Sequence, residues 1–308
     1  MKPLFSPEAV FDDLDRVAEI LTDSVPDAGP IAPLRFLGSG FFSLAVETES
    51  GVVFRLALTA EVTHRYEKEM RLLPWLADRL PIAIPRPSWL VPPSESLPYG
   101  AIGYPKLPGQ QMTEDATAGE PNSDLVDQLA NFLTSLHSTP RHLALEKSGT
   151  QLVNAIDGVS QTRDKALLIL KDKLTPAEYA TLDRWWDALL AEITTWNFDP
   201  VLIQSDINPK NLLVDDTGLI VGVLDWEHAA VADPAFDFRN LGQPDSAFRK
   251  AVVERYQGAG RNIGGDYHHR LHRYWQLNSF YGVELAVRRG DEPLLLKNIE
   301  RLRQKGVI

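Results

Sequence analysis

The sequence contains no cysteine. That excludes disulfides, thiolate-held zinc and iron–sulfur centres. It also lacks any apolar run approaching the ~18 residues that cross a bilayer. The opening "MKPLFSPEAVFDDLDRV" carries acidic residues where a signal peptide would need a long apolar stretch, so the expected compartment is the cytoplasm and no membrane partner is expected. Basic charge is scarce too: 31 Lys and Arg stand against 42 Asp and Glu, a net charge of −11. Nucleic acid is therefore not an expected partner, because binding its phosphates needs a basic surface, whereas a cationic small molecule would suit an acidic chain. There is neither an internal repeat nor a low-complexity tract. What remains is an ordinary globular composition, 44% hydrophobic over 308 residues, long enough for about two domains.

The pattern along the chain divides it. Residues 6–22 have helical spacing, with Ser6 as cap, Pro7 in the first turn and a stripe of Val10, Phe11, Leu14, Val17 and Leu21. "LRFLGSGFFSLAVETESGVVFRLAL" reads as three strands joined by turns. "AEVTHRYEKEMRLL" has helical spacing up to Pro74, which should kink or end the helix. "RPSWLV" and "YGAIGYPKL" read as two more short strands. After "PKLPG" the signal becomes helical: "SDLVDQLANFLTSLHSTP", residues 176–196 and most of 245–304. The expectation is an α+β chain with a small antiparallel lobe over 1–104 and a larger, mainly helical lobe over 105–308, with a ligand held between them.

The chemistry concentrates in "LIQSDINPKNLLVDDTGLIVGVLDWEHA", residues 202–229. Two apolar runs flank a turn at Asp215, Asp216, Thr217 and Gly218, and Asp206, Asn211 and Asp225 stand at their edges. Adjacent antiparallel strands would bring those edges together. Each residue alone suits an ordinary turn. As an ordered set, D-x-x-x-x-N followed by an aspartate past the next strand is the phosphoryl-transfer arrangement of base, metal-binding amide and metal-binding carboxylate.

The stretches "QSDINPKNLLV" and "GVLDWEHAAVADPAFDF" resemble the aminoglycoside phosphotransferase family of kinase-fold enzymes, and the similarity runs over most of the chain. "EKEMRLLPWLADRLPIAIPRP" is similar to the family's small-lobe helix and following loop, and "GYPKLPGQ" to its hinge. The resemblance implies a two-lobed, protein-kinase-like fold, Asp206 as catalytic aspartate, Mg²⁺ on Asn211 and Asp225, and Asp237 bracing the catalytic loop. It implies ATP or GTP as donor, with Gly103 and Tyr104 of the hinge at the nucleotide. Gly38, Ser39, Gly40 and Ser43 lie in a turn between strands where backbone N–H groups could meet phosphates. The family's phosphate cation, a lysine paired with a helix glutamate, corresponds here to Arg55 and Glu69. Arginine keeps the charge but brings a planar fork.

Other departures are Gln204-Ser205 where the family commonly has His-Gly, and Pro105, which has no N–H to offer a base. The implied activity is transfer of the γ-phosphoryl group to a hydroxyl of a small molecule: an aminoglycoside, another antibiotic, or a metabolite such as an amino alcohol or sugar. The alternative is a degenerate kinase-fold module that binds a nucleotide or small ligand without catalysis. For a cationic acceptor the candidate acids include Glu227, Asp157 and Asp233. His268 and His272 read as a solvated helix face, Trp185 and Trp186 as core, His137 as bonded to a backbone carbonyl, and Lys210 as solvent-exposed or in contact with phosphate. Monomer and dimer stay equally open.

Overall fold

The structure, a computed structural model, describes residues 13–40, 42–149, 152, 155–243 and 245–308. Ser6, Pro7, Val10 and Phe11 of the expected first helix, and Phe41 of the glycine turn, lie outside the described residues. Helix α1 (Leu14–Ser24) is capped by the Asp13 side chain, which accepts from the Arg16 N–H, and buries Val17, Ala18 and Leu21. Strands β1 (Arg35–Ser39), β2 (Ser43–Glu47) and β3 (Val52–Ala57), helix α2 (Ala60–Ala77), β4 (Trp89–Val91) and β5 (Ala101–Pro105) follow. The strands form one antiparallel sheet in the order β1-β2-β3-β5-β4.

Every residue of β3 is buried, and alternation sorts its two faces. Val52, Phe54 and Leu56 pack with Val17 and Leu21 of α1. The opposite face carries Ala57, packed with Val62 and Tyr66 of α2, and the same alternation sends Arg55 to that side. Helix α2 runs through Pro74 to Ala77 instead of ending there. Leu72, Leu73 and Leu76, each at most 1% exposed, sit in the larger core. Burying such side chains at about 1.5–3 kcal/mol apiece outweighs the ~3 kcal/mol cost of a helical proline.

The rest of the chain adds β6 (Gln110–Gln111), α3 (Ser123–His137), α4 (Arg141–Ser148), α5 (Ala155–Leu170), α6 (Pro176–Ile193), β7 (Val201–Ile203), β8 (Leu212–Val214), β9 (Ile220–Val223), β10 (Ala230–Ala232), α7 (Ala247–Gly258), α8 (Tyr267–Arg289) and α9 (Glu292–Gln304). Two small sheets, β6-β8-β9 and β10-β7, are set among these helices. The β7–β10 pair, β6, α4 and α5 were not anticipated; for the strands, two or three residues hold too few alternations to show a period. Trp186 is fully buried, and both it and Trp185 pack on Phe280 of α8, with ring centroids 4.6 and 5.5 Å away. The architecture is α+β, a small antiparallel sheet beside a larger helical part. Among the described residues, no helix is long and apolar enough to cross a membrane.

Candidate active site

β7 ends at Ile203 and delivers Gln204, Ser205 and Asp206 into a loop that closes in a short 3₁₀ turn, Pro209–Asn211, before β8. Asn208 caps that turn by accepting from the Lys210 N–H. Asn211 Nδ2 donates to the Asp206 carbonyl at 2.9 Å and to Asp206 Oδ2 at 3.0 Å. Asn240 Nδ2 donates to Asp206 Oδ1 at 2.7 Å, and Arg239 stands 3.8 Å from the same oxygen. Both carboxylate oxygens are thus oriented, while the side chain stays 34% exposed. The hairpin β8–β9 returns Asp225 to this point, and the Leu224 N–H donates to the Asn211 carbonyl at 2.8 Å.

Gln204 ties the two loops together. Its Nε2 donates to the carbonyls of Leu224 and Asp225 at 2.9 and 2.5 Å, and its Oε1 accepts from the Asp206 N–H at 2.6 Å. Beneath it, the fully buried Asp237 accepts from the N–H groups of Gln204 and Ser205 at 3.0 and 2.6 Å. His137 contacts Asp237 Oδ2 through Nε2 (3.1 Å) and the Tyr256 hydroxyl through Nδ1 (2.8 Å), so its ring partners are two side chains and not the expected carbonyl. Ser205 and Asp225 have φ of 80° and 59°, a left-handed backbone unusual outside glycine.

On the sheet side, Arg55 Nη1 donates to both Glu69 oxygens at 3.1 and 3.0 Å, and Nη2 donates to Glu227 at 2.7 Å. Asp225 Oδ1 lies 3.9 Å from the same Nη2. Burial opposes the Arg55 charge, but Glu69, Tyr66 and Glu227 raise it well above the ordinary guanidinium value. Burial likewise opposes ionisation of Glu227, yet His228 and Arg55 hold it down at about 2. Lys68 donates to the carbonyls of Glu227 and Ala229, both at 2.8 Å, and burial pulls it down to about 8. Tyr104 is buried, which pushes its hydroxyl up to about 12. Gly103 sits mid-strand in β5, where a Cβ would come within 2.4 Å of the Phe54 ring.

Gly38 and Ser39 end β1, Gly40 lies in the turn and Ser43 opens β2. Gly38 has a φ of 155° and marks a break in the strand register, and the Gly40 N–H donates to the Ser43 carbonyl at 2.7 Å. The far end of α8 reaches this turn: Arg289 donates to the Gly40 carbonyl at 3.1 Å, and Arg288 lies 4.9 Å from the Phe42 ring centroid.

Asn211 commits its amide nitrogen to Asp206, which turns its carbonyl oxygen toward other work. Asp225 is 41% exposed. Desolvation raises it above the usual carboxylate range; Arg55 opposes that, while Glu227 and Asp206 add to it. That crowding of negative charge is what a divalent cation relieves. Among the described residues no group of three or more acidic, histidine or cysteine side chains could cage a metal alone. Two protein oxygens completed by substrate phosphates is the pattern Mg²⁺ accepts, so the residues fit it.

Residues 34–272 match the phosphotransferase enzyme family, APH. The chain belongs to this family. The uncharacterized protein YcbJ of Bacillus subtilis (strain 168) is 27% identical over 266 residues, 83% of each chain. The GDP and kanamycin complex of APH(2″)-IIIa superposes with a TM-score of 0.78 at 21% identity, covering 94% of this chain and 98% of that one. A macrolide 2′-phosphotransferase type I does so at 0.69 and 21%, covering 94% and 97%. The fold is thus the two-lobed, protein-kinase-like one of these phosphotransferases.

The phosphotransferase family motifs did not announce three residues around Asp206: Arg239, Asn240 and Asn278. Asn278 Nδ2 donates to Asn240 Oδ1 at 2.6 Å, and Arg239 Nε donates to Asn278 Oδ1 at 3.1 Å. For Arg239 and Asn240 the available signal was adjacency to "DPAFDF"; Asn278, on α8, had none. Two acids suggested for a cationic acceptor serve internal partners. Glu227 binds Arg55, and Asp233 binds Arg270 at 2.7 Å and the Tyr274 hydroxyl at 2.9 Å. Asp157 is exposed on α5. Lys210 is exposed and pairs with Glu114 at 3.4 Å. His268 and His272 are both exposed, as a solvated helix face should be.

Proposed function

We propose that this protein transfers the γ-phosphoryl group of ATP or GTP to a hydroxyl of a small molecule. The observation that carries this reading is the meeting of Asp206, Asn211 and Asp225, with Asn211 bonded at 3.0 Å to the Asp206 carboxylate and the Asp225 loop tied to Asn211 through Leu224. In this reading Asp206 orients the acceptor hydroxyl and takes its proton, with Asn211 and Asn240 fixing its two oxygens. Asn211 and Asp225 hold Mg²⁺, which when bound neutralises phosphate charge. Arg55, fixed by Glu69, brings a permanent cation 3.9 Å from Asp225, where donor phosphates would meet it. Gly38, Ser39, Gly40 and Ser43 cover the phosphates, and Gly103 and Tyr104 lie along the base, with the nucleotide served by residues 1–104 and the acceptor by 105–308. Solved relatives bound to GDP and to ADP support a nucleotide donor. Such a donor, in a chain without cysteine, fits the cytoplasm.

The test is nucleoside diphosphate release with Mg²⁺ and ATP or GTP across a panel of hydroxyl acceptors. Asp206→Ala should slow acceptor-stimulated release about 10²- to 10⁴-fold. Nucleotide binding that is indifferent to Mg²⁺, with no release from any acceptor, would instead mark a non-catalytic binding module.

A further inference from the structure

We infer that the acceptor carries an anionic group, a carboxylate or phosphate, and that Arg301 and Lys305 at the end of α9 read it. This rests on the reading of Asp206 given above. A cavity of about 730 Å³ opens beside that aspartate, with Arg239 and Asn240, both against the Asp206 carboxylate, among its lining residues. Although the chain carries a net charge of −11, the charged residues of this wall are two acids, Glu114 and Asp115, and four cations, Lys210, Arg239, Arg301 and Lys305.

Two of those cations have acidic partners. Lys210 pairs with Glu114, and Arg239 braces the Ser205 carbonyl and stands by Asp206. Arg301 and Lys305 have none among the described residues. Arg301 donates to the Asn298 amide oxygen at 3.3 Å, and Lys305 donates to the Trp275 carbonyl. A helix C-terminus does favour positive charge, which would account for Arg303 equally. Arg303, however, turns away from the cavity to Glu178 and Glu300, at 2.9 and 3.3 Å. The basic residues of this turn are therefore sorted, and the two without acids face the cavity. Arg301 is exposed and Lys305 half-buried; burial, helped by Arg301, lowers the Lys305 ammonium to about 8. An anion opposes that lowering and a polycation adds to it.

Trp275, whose ring centroid lies 4.3 Å from Lys305 Nζ, and Asn278 complete the wall with an apolar face and an amide suited to a carbon skeleton bearing hydroxyls. Of the acids suggested for a cationic acceptor, Glu227 and Asp233 are buried on Arg55 and Arg270, and of the two acids on the wall Glu114 pairs with Lys210, so only Asp115 stands against the unpaired Arg301 and Lys305.

Calorimetric titration with matched probes tests this: gluconate against sorbitol, glucose 6-phosphate against glucose, and kanamycin. Each charged probe should bind about tenfold or more tightly than its neutral partner, with the advantage shrinking as salt rises, and kanamycin should bind no more tightly than sorbitol. The neutral double variant Arg301→Gln, Lys305→Met should lose the preference, and the charge-preserving Arg301→Lys, Lys305→Arg should keep it. Equal or undetectable binding within the pairs, tighter kanamycin binding, or a preference that survives in the neutral variant overturns the inference. Because calorimetry reads binding without turnover, an anion preference with no diphosphate release from any acceptor would leave the anion-reading role of Arg301 and Lys305 standing and remove the phosphotransferase reading. Release stimulated by kanamycin alone would do the reverse.

Discussion

At the scale of single residues, the loop before Asp206 stores strain. Ser205 has a φ of 80° where the resembling family commonly has glycine, and it is held there because its N–H donates to Asp237 and its carbonyl accepts from Arg239. A left-handed non-glycine residue costs about 1–3 kcal/mol, part of which glycine would return through greater freedom in the unfolded chain. Ser205→Gly should therefore stabilise the protein by about 1 kcal/mol, seen as a higher denaturant midpoint at unchanged slope; a lower midpoint would mean that the hydroxyl matters more than the backbone angle. Gln204 shows the same economy of means. An amide can donate to two carbonyls and accept from an N–H at once, so it bridges the loops of Asp206 and Asp225 without a ring.

At the scale of elements, α2 belongs to both parts of the molecule. Its first half packs on the sheet through Val62 and Tyr66 and its second half joins the larger core through Leu72, Leu73 and Leu76. Lys68, between them, is tethered to the loop after β9 by two carbonyls. Its folded value of about 8 lies below its ordinary 10.5, so between those two the unfolded chain binds more protons than the folded one. Stability then rises with pH across that window and the penalty is full below it. Lys68→Met should flatten this rise in chemical denaturation between about pH 8 and 10.5, and an unchanged slope would assign the rise to other groups.

At the scale of the whole molecule, Arg55 is the joint. It stands on a fully buried central strand and binds Glu69 of α2 and Glu227 of the loop after β9 with one guanidinium. Removing it strands the buried Glu69 carboxylate and leaves Glu227 with only Arg65 and His228. Arg55→Met should cost about 3–5 kcal/mol in urea unfolding, and a loss below about 1 kcal/mol would show that the network is as weakly coupled as an exposed pair. The same joint aligns the sheet with the Asp206 loop, so a loss of nucleotide binding should accompany the loss of stability.

The sequence by itself determined the local pieces. Period-two runs gave the sheet, period 3.6 gave α3, α6 and the C-terminal helices, and the spacing of Asp206, Asn211 and Asp225 around a hairpin brought those three together, because adjacent antiparallel strands leave their ends side by side. Only the tertiary structure decided the rest. Pro74 stays inside α2 because burial by distant residues outweighs a local penalty. Glu227 and Asp233 are unavailable to a ligand because Arg55, 172 positions away from the one, and Arg270, 37 from the other, claim them. Asn278, Arg301 and Lys305 reach the cavity from helices late in the chain, where periodicity records which face is buried but not what that face meets. Charge complementarity across a cavity is a property of distance in space, and the order of residues along the chain does not encode it.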